Sequence, residues 1–303
     1  MELRQLEYFV AVAEEANFTR AAERVHISQS GVSAQIRRLE NDLGATLIDR
    51  SGRTAGLTTA GEAALEHARA ALASAQAVRQ AVDEVNGLIR GRLVVGTVSA
   101  GTVTALLDAL AAFHRAHPRV DIALVEDNSD RLVERVRTGA IDLALVGTAG
   151  TPPSDLDALT IVSEGLVAAV PLGHPLARRR RVRLAQLSAY PIVCLPEGTG
   201  IRTVFDRACA ATGVQVDISL QASAPDAVAD LAMRGLGVAI LAESMANNYQ
   251  GRLKALALDD VETPAVLALI STATKSPALR QLLVHSHEAF ARRRQESLTV
   301  SLV

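Results

Sequence analysis

An α/β body behind an α-rich N-terminal head is the fold class this sequence predicts, and three patterns carry the prediction. Apolar residues recur at helical spacing through the first 43 positions. A proline-free stretch of about thirty residues then carries an apolar seam spaced by threes and fours. From Arg92 onward, short apolar strands alternate with amphipathic helices. The 303 residues suffice for two or three domains with cores of their own. They divide into a head over 1–58, a linker helix over 59–90 and a body over 91–303.

Composition narrows the function classes. Hydrophobic residues make up 49% and charged residues 21%, the balance of a folded soluble chain, which excludes disorder as the main state. No apolar run approaches the roughly 18 residues that span a bilayer. Met1–Val10 carries Glu2, Arg4 and Glu7, so no secretory signal is expected. With only Cys194 and Cys209, a disulfide framework is excluded and the expected compartment is the cytoplasm. The net charge of −2, taken alone, leans against a nucleic-acid binder.

In the head, Leu3, Leu6, Phe9, Val10 and Ala13 define a first helix, which Asn17, Phe18 and Thr19 interrupt. Thr19–Val25 reads as a short second helix, and His26-Ile27 as a tight turn. Ser28 is a candidate N-cap for a third helix running to about Asp42. Val32, Ile36, Leu39 and Leu43 share one face of that helix. Ser30, Ser33, Ala34 and Arg37 lie on the other, with Gln29 at the exposed N-terminal end. Small and donor-rich, that face suits base edges: Gln pairs with adenine, Arg with guanine, and Ser with either bases or phosphate. Two helices joined by a short turn, the second with such a face, form a helix-turn-helix. Leu47–Arg50, a Ser51-Gly52 turn and Gly56–Thr58 read as a small hairpin, or wing, whose Arg50 and Arg53 suit phosphate or minor-groove contact. A solvated helix in a plain helical domain fits the periodicity as well, and residues 1–60 hold seven Arg against eight acids. However, Glu2, Glu7, Glu14, Glu15 and Glu23 precede the third helix, whereas Arg37, Arg38, Arg50 and Arg53 lie in it or after it.

These residues also carry a resemblance. Leu3-Arg4-Gln5-Leu6 with Phe9, Phe18-Thr19-x-Ala21-Ala22, Ser28-Gln29-Ser30-x-Val32-Ser33, Ile36–Glu40, Leu43-Gly44, Leu47-x-x-Arg50 and Leu57-Thr58-x-x-Gly61 resemble the LysR-type transcriptional regulators. The match is dense over about 60 residues, and the remaining chain fits the family's length and layout with looser motifs. Two positions depart from it. Ile48 stands where the family usually has Phe, and Ala34 where many members have a base-contacting polar residue. Gln29, Ser33 and Arg37 are thus the stronger reading candidates, with Thr19, Ser28, Ser30, Arg38, Arg50 and Arg53 completing the expected DNA-binding set. The resemblance implies a double-stranded DNA operator, a small-molecule effector, and a homodimer or homotetramer. It implies RNA polymerase contact if the protein activates, and no catalysis, cofactor, metal or membrane.

Thr59 and Glu62 have capping-box spacing, and Leu65, Ala68, Leu72, Ala75, Val78, Val82, Val85 and Ile89 form the seam of a helix of roughly 45 Å. The seam fits either a core helix of the head or pairing with a second chain, and the resembled family uses this helix to dimerise. Gly87 and Gly91 flank its end.

In the body, strands at Leu93–Gly96, Val120–Glu126 and Ile141–Val146 alternate with helices at Thr102–Arg115 and Ser129–Arg137. A second set runs from Gly165–Val170 through Ile192–Leu195, Val216–Leu220 and Val238–Leu241, with helices at Gly200–Ala211 and Ala224–Met233. Val266–Ile270 and the helix Pro277–Arg294 return to the first set. A mostly parallel sheet is expected. Subdomains over 91–163 with 267–303, and over 164–266, resemble the type 2 periplasmic-binding-protein fold of the family's effector domain.

Open α/β sheets bind ligands beyond the strands' carboxyl ends. Two strand-to-helix loops fit: Ser99, Ala100, Gly101 and Thr102 in the first subdomain, and Thr199, Gly200 and Arg202 in the second. Both offer hydroxyls and free N–H groups at a positive helix end, which suits a small anion, and Arg202 would add a clamp. Ser and Thr there also serve as plain helix caps. The family resemblance adds Asn128, Ser129, Gly147 and Thr148.

Other signals favour plainer readings. Arg178–Arg181 with Arg183 reads as a solvated loop ahead of a nucleic-acid or partner patch, and His114 with His117, at a possible metal spacing, as helix-end histidines. Gly235-Leu236-Gly237 lacks the helix of a dinucleotide site. Rival readings are a solute-binding protein, an α/β enzyme, for which no nucleophile, base and orienting group cluster, and a thiol sensor using Cys194 and Cys209.

Overall fold

The structure, a computed structural model, describes residues 1–51, 54–85, 89–98, 104–273 and 275–300. For 76, 77, 79–81, 83–85 and 293–300 it describes the backbone alone. Arg53, Gly87 and the expected effector residues Ser99, Ala100, Gly101 and Thr102 lie outside the described residues. The chain forms two compact units, Met1–Leu88 with Thr138–Ala140, and Ile89–Arg137 with Ile141–Val303.

The first unit contains α1 (Leu3–Glu15), α2 (Phe18–Arg24), α3 (Gln29–Leu43), the hairpin β1 (Ile48–Asp49) and β2 (Gly56–Leu57), and α4 (Thr59–Val85). Asn17, which interrupts the apolar pattern, is the cap of α2: its side chain accepts from the Thr19 and Arg20 N–H groups at 2.8 and 3.1 Å. His26 turns the chain between α2 and α3 with φ of 56°, and Ser28 Oγ caps α3 by accepting from Gly31 N–H at 3.1 Å. Phe9, Val12, Ala21, Val32, Ile36, Leu39 and Ile48 make the core. Leu3 and Leu43, expected inside, are exposed, since they sit in the terminal turns of α1 and α3, beyond the packed stretch.

The cap of α4 is Thr58 rather than Thr59: its hydroxyl accepts from Gly61 N–H at 3.0 Å. The seam on α4 divides in two. Ala64, Leu65, Ala68, Ala71 and Leu72 pack on the core of the head, while Val78 and Val82 are 66% and 57% exposed. One helix face thus serves the head's own core near its start and is left bare further along.

The second unit continues with β3 (Gly91–Val98), α5 (Thr104–Ala116), β4 (Val120–Asp127), α6 (Ser129–Arg137), β5 (Leu143–Ala149) and β6 (Asp157–Glu164). There follow β7 (Leu166–Pro171), a 3-10 turn (Pro175–Arg178), β8 (Arg181–Val182), α7 (Leu184–Leu187), β9 (Pro191–Cys194), α8 (Gly200–Thr212) and β10 (Asp217–Gln221). The last elements are α9 (Pro225–Met233), β11 (Val238–Ala242), α10 (Glu243–Asn247), β12 (Leu253–Leu258), β13 (Ala265–Ser271) and α11 (Pro277–Val300). They build two sheets, ordered β4-β3-β5-β13-β6 and β10-β9-β11-β7-β12-β8. The chain leaves the first sheet at Gly165 and returns between Leu258 and Ala265.

Both sheets are mostly parallel, as expected, with one antiparallel strand in each among the described residues. β13 runs antiparallel between β5 and β6, and β7 antiparallel between β11 and β12. Strands such as Leu166–Val170 and Val238–Ala242 are buried almost throughout, so they read as unbroken apolar runs that carry no sign of direction. Among the described residues no helix is long and apolar enough to cross a membrane.

Candidate nucleic-acid interface and ligand cavity

The outward face of α3 follows from its inward one. Val32, Ile36 and Leu39 are fully buried, which leaves Gln29, Ser30, Ala34, Arg37 and Arg38 exposed and Ser33 half-buried. Ser28 Oγ accepts the cap bond and also lies 3.2 Å from Ser30 Oγ. Thr19 is exposed at the start of α2. The near-neutral charge of the head resolves into local pairs. Glu14 holds Arg24 at 2.8 Å and Arg69 at 2.9 Å, and Glu15 lies 3.5 Å from both Arg20 and Arg24. Among the described residues Arg37 and Arg38 have no ionic partner, so their charges are open to an incoming anion.

Arg50, expected to hold the DNA backbone, is engaged within the protein. Its Nη2 donates to Glu40 Oε2 at 2.8 Å, and its guanidinium lies 5.7 Å from the Phe18 ring centroid. The other oxygen of Glu40 accepts from Leu47 and Ile48 N–H at 2.9 and 3.1 Å. Glu40 is 8% exposed; burial works to raise its pKa, but the bonds from Arg50, Ile48 and Leu47 outweigh it and hold the pKa below the ordinary value. This carboxylate latches the hairpin to α3, a role the helical periodicity did not single out. Gly61 makes the matching contact from α4, where a Cβ would lie 2.1 Å from Leu47 O.

In the body, a cavity of about 390 Å³ opens at the carboxyl ends of β3, β4, β5 and β6 and at the start of β13. Its opposite wall comes from the β9–α8 loop, Ser223 and the start of α10. Asn128, Ser129, Gly147, Thr148, Thr199 and Gly200 all line it. Ser129 is 3% exposed and joins the two sides: its Oγ accepts from Gly147 N–H at 3.0 Å, and its N–H donates to Gly198 O at 3.0 Å. Thr199 Oγ1 donates to Pro196 O at 2.8 Å, so it gives α8 no side-chain cap. The start of α8 abuts β5 so closely that a Cβ on Gly200 would fall 2.4 Å from Gly147 C and 2.5 Å from Thr148 N. Beside this contact the Thr148 hydroxyl is buried with no hydrogen-bond partner among the described residues. A helix start without a side-chain cap and an unpaired hydroxyl thus lie together at this wall.

Arg202 is not part of this wall, which corrects its expected role as a clamp. It is 6% exposed, and its Nε lies 2.8 Å from both oxygens of Asp206, one turn along α8. Its other nitrogens approach Leu195 O, Glu197 and Cys194 Sγ at 3.5, 3.5 and 3.7 Å. The periodicity that puts Gly200 at the cavity turns Arg202 toward its i+4 partner. Glu126, Asp127, Val162, Glu164, Ser244 and Met245 line the cavity and were not singled out from the sequence, because they come from elements distant in the chain.

The remaining candidates resolve locally. Arg178–Arg181 and Arg183 are exposed, with Arg181 paired to Asp259. His117 packs on Phe113 and His285 with centroids 5.0 and 6.3 Å apart, and among the described residues no three potential ligands gather for a metal. Cys194 and Cys209 are both buried and free; burial pushes both thiols up, Cys209 to about 11, away from the reactive thiolate.

A helix-turn-helix head and a two-lobed cavity-bearing body in one chain define a ligand-responsive, DNA-binding regulator. Residues 3–62 match the bacterial regulatory helix-turn-helix protein, lysR family, and residues 86–291 match the LysR substrate binding domain. The chain is 35% identical over 244 residues to the transcriptional dual regulator GltC of Bacillus subtilis, covering 80% of this chain and 81% of that one. It is 33% identical over 294 residues to the Hca operon transcriptional activator HcaR of Escherichia coli, covering 96% and 99%. Among solved structures, full-length CbnR complexed with its target DNA has a TM-score of 0.58 at 26% identity, covering 95% and 100%. A full-length OxyR variant from Pseudomonas aeruginosa shares the fold, with a TM-score of 0.70 at 24% identity over 96% and 97%. The chain belongs to the LysR family of transcriptional regulators, which bind DNA operators and small-molecule effectors and are not enzymes.

Proposed function

We propose that this regulator reads its operator through the α3 face of Gln29, Ser30, Ser33 and Arg37, with Arg38 on phosphate, and senses a metabolite in the cavity of the body. The single observation that carries the reading is the exposed Arg37 beside small polar residues on an otherwise tightly packed helix-turn-helix. Thr19, Ser28 and Arg53 take backbone contacts. Arg50 serves chiefly as the hairpin latch. Residues 1–58 read DNA, 59–90 pair two copies, and 91–303 bind the effector. The bare Val78 and Val82, one turn apart on α4, support pairing in a homodimer or homotetramer acting in the cytoplasm. The effector seat comprises Thr148, Gly200, Ser129 and the hydroxyl loop Ser99–Thr102. Changing a Thr148 or Ser99 hydroxyl affects effector response and leaves the DNA-reading face intact.

Arg37→Ala is the test. Duplexes are first selected from a random-sequence library with the wild-type protein. The variant then loses about 1–3 kcal/mol of affinity for the selected sequence and relaxes preference at one position, with its unfolding temperature unchanged. Unaltered affinity and preference remove Arg37 from the reading face.

A further inference from the structure

The charge of the cavity wall points beyond an anion seat. Among the described residues the wall holds three carboxylates, Glu126, Asp127 and Glu164, and no Lys, Arg or His. The carboxylates occupy opposite ends of the site. Glu126 and Asp127 close the edge strand β4, Glu164 closes the other edge strand β6, and Gly147-Thr148 lies midway on β5. Each flank is two strand spacings from that centre, about 10 Å.

The carboxylates differ in occupancy. Asp127 Oδ1 accepts from Asn128 N–H at 2.9 Å and lies 3.7 Å from Arg131. Glu164 accepts from Ser244 N–H and Oγ–H at 2.7 and 2.6 Å. Glu126 is exposed and holds no such partner among the described residues. Between centre and flanks the wall is apolar, with Val98, Val162, Met245 and Leu267. A ligand with two carboxylates would bring its second charge against a like charge, whereas a cationic group would meet an opposite one.

We propose that the effector is an ω-amino carboxylate, or a close analogue. Its carboxylate rests on Thr148 and the start of α8, a short methylene chain crosses the apolar stretch, and its ammonium faces Glu126 or Glu164. The inference rests on the reading of this cavity as the effector site and goes further by assigning the ligand's chemical class. It sharpens a seat for a simple anion into one for a zwitterion with separated charges.

The test is titration calorimetry and thermal shift on the full-length protein with three matched series. They are the ω-aminobutyrate to ω-aminohexanoate set, the same acids without the amine, and the dicarboxylates of equal length. The ω-amino acids bind at least about tenfold more tightly than either other series. The double variant Glu126→Gln/Glu164→Gln removes that preference, so that ω-amino acids bind no more tightly than plain carboxylates of equal length. Thr148→Val, which keeps side-chain volume, weakens every member that binds. Equal or tighter binding of dicarboxylates or plain carboxylates that remains sensitive to Thr148→Val overturns the assigned class and leaves the cavity reading standing. Binding indifferent to all these substitutions overturns both. Failure of every ω-amino acid to bind overturns the assigned class alone.

Discussion

Gly200→Ala is expected to cost the effector domain about 1–3 kcal/mol of stability, the range for forcing an extra carbon into a packed site. The new Cβ falls 2.4 Å from Gly147 C, 2.5 Å from Thr148 N and 2.7 Å from Gly147 O. These are backbone atoms, so no rotamer change relieves the clash; α8 and β5 must separate. The same separation moves the start of α8 away from the Thr148 hydroxyl and breaks the cavity wall. Effector affinity therefore falls by at least about tenfold, equivalent to about 1.4 kcal/mol or more. Calorimetric unfolding and ligand titration check both effects. Gly173→Ala is the control, since a Cβ there meets nothing within 4 Å among the described residues. A Gly200→Ala protein as stable and responsive as the control contradicts the close approach.

Glu40→Ala is expected to destabilise the head by about 2–4 kcal/mol and to abolish operator binding, because it leaves two buried N–H groups without an acceptor and frees Arg50. Glu40→Gln is milder, since an amide oxygen still accepts from Leu47 and Ile48 while the charge-assisted bond to Arg50 is lost. The latch also sets a pH dependence. Its pKa is lowered in the folded head, so the unfolded chain takes up the proton first as pH falls. The stabilisation is fully present above the ordinary glutamate range and is lost as pH drops through the lowered folded value. Unfolding of the head followed by circular dichroism at neutral and acidic pH measures this slope. Glu40→Gln flattens it, and an equal slope in both proteins contradicts the latch.

The head was legible because its helices bury one stripe each. The spacing of Val32, Ile36 and Leu39 sets which residues of α3 face outward, and the observed burial agrees. Contacts across elements were not legible. Arg50 looked free for phosphate until Glu40, ten positions earlier, was brought to 2.8 Å by the hairpin. Arg202 looked like a clamp because it follows a loop at a strand end. However, its orientation depended on Asp206 and on a helix register starting at Gly200. The seam of α4 gave one continuous signal for two environments, since periodicity reports an apolar face and not what covers it. In the body, strand positions could be read from apolar runs, but the antiparallel entry of β7 and β13 could not, because burial on both faces erases alternation. The acidic flanks of the cavity escaped notice for the same nonlocal reason: Glu126 and Glu164 close strands four places apart in the sheet.

Operator affinity with and without bound ligand measures directly whether the cavity acts on the reading helix. The duplex is one selected by the wild-type protein, and the ligand is a metabolite found by thermal shift whose binding Thr148→Val removes. Saturating ligand changes operator affinity of the full-length wild type by at least about fivefold, and operator DNA changes ligand affinity by the same factor. Thr148→Val binds the operator normally and shows no change with ligand. A wild-type protein whose operator affinity stays the same at saturation of that cavity contradicts the account.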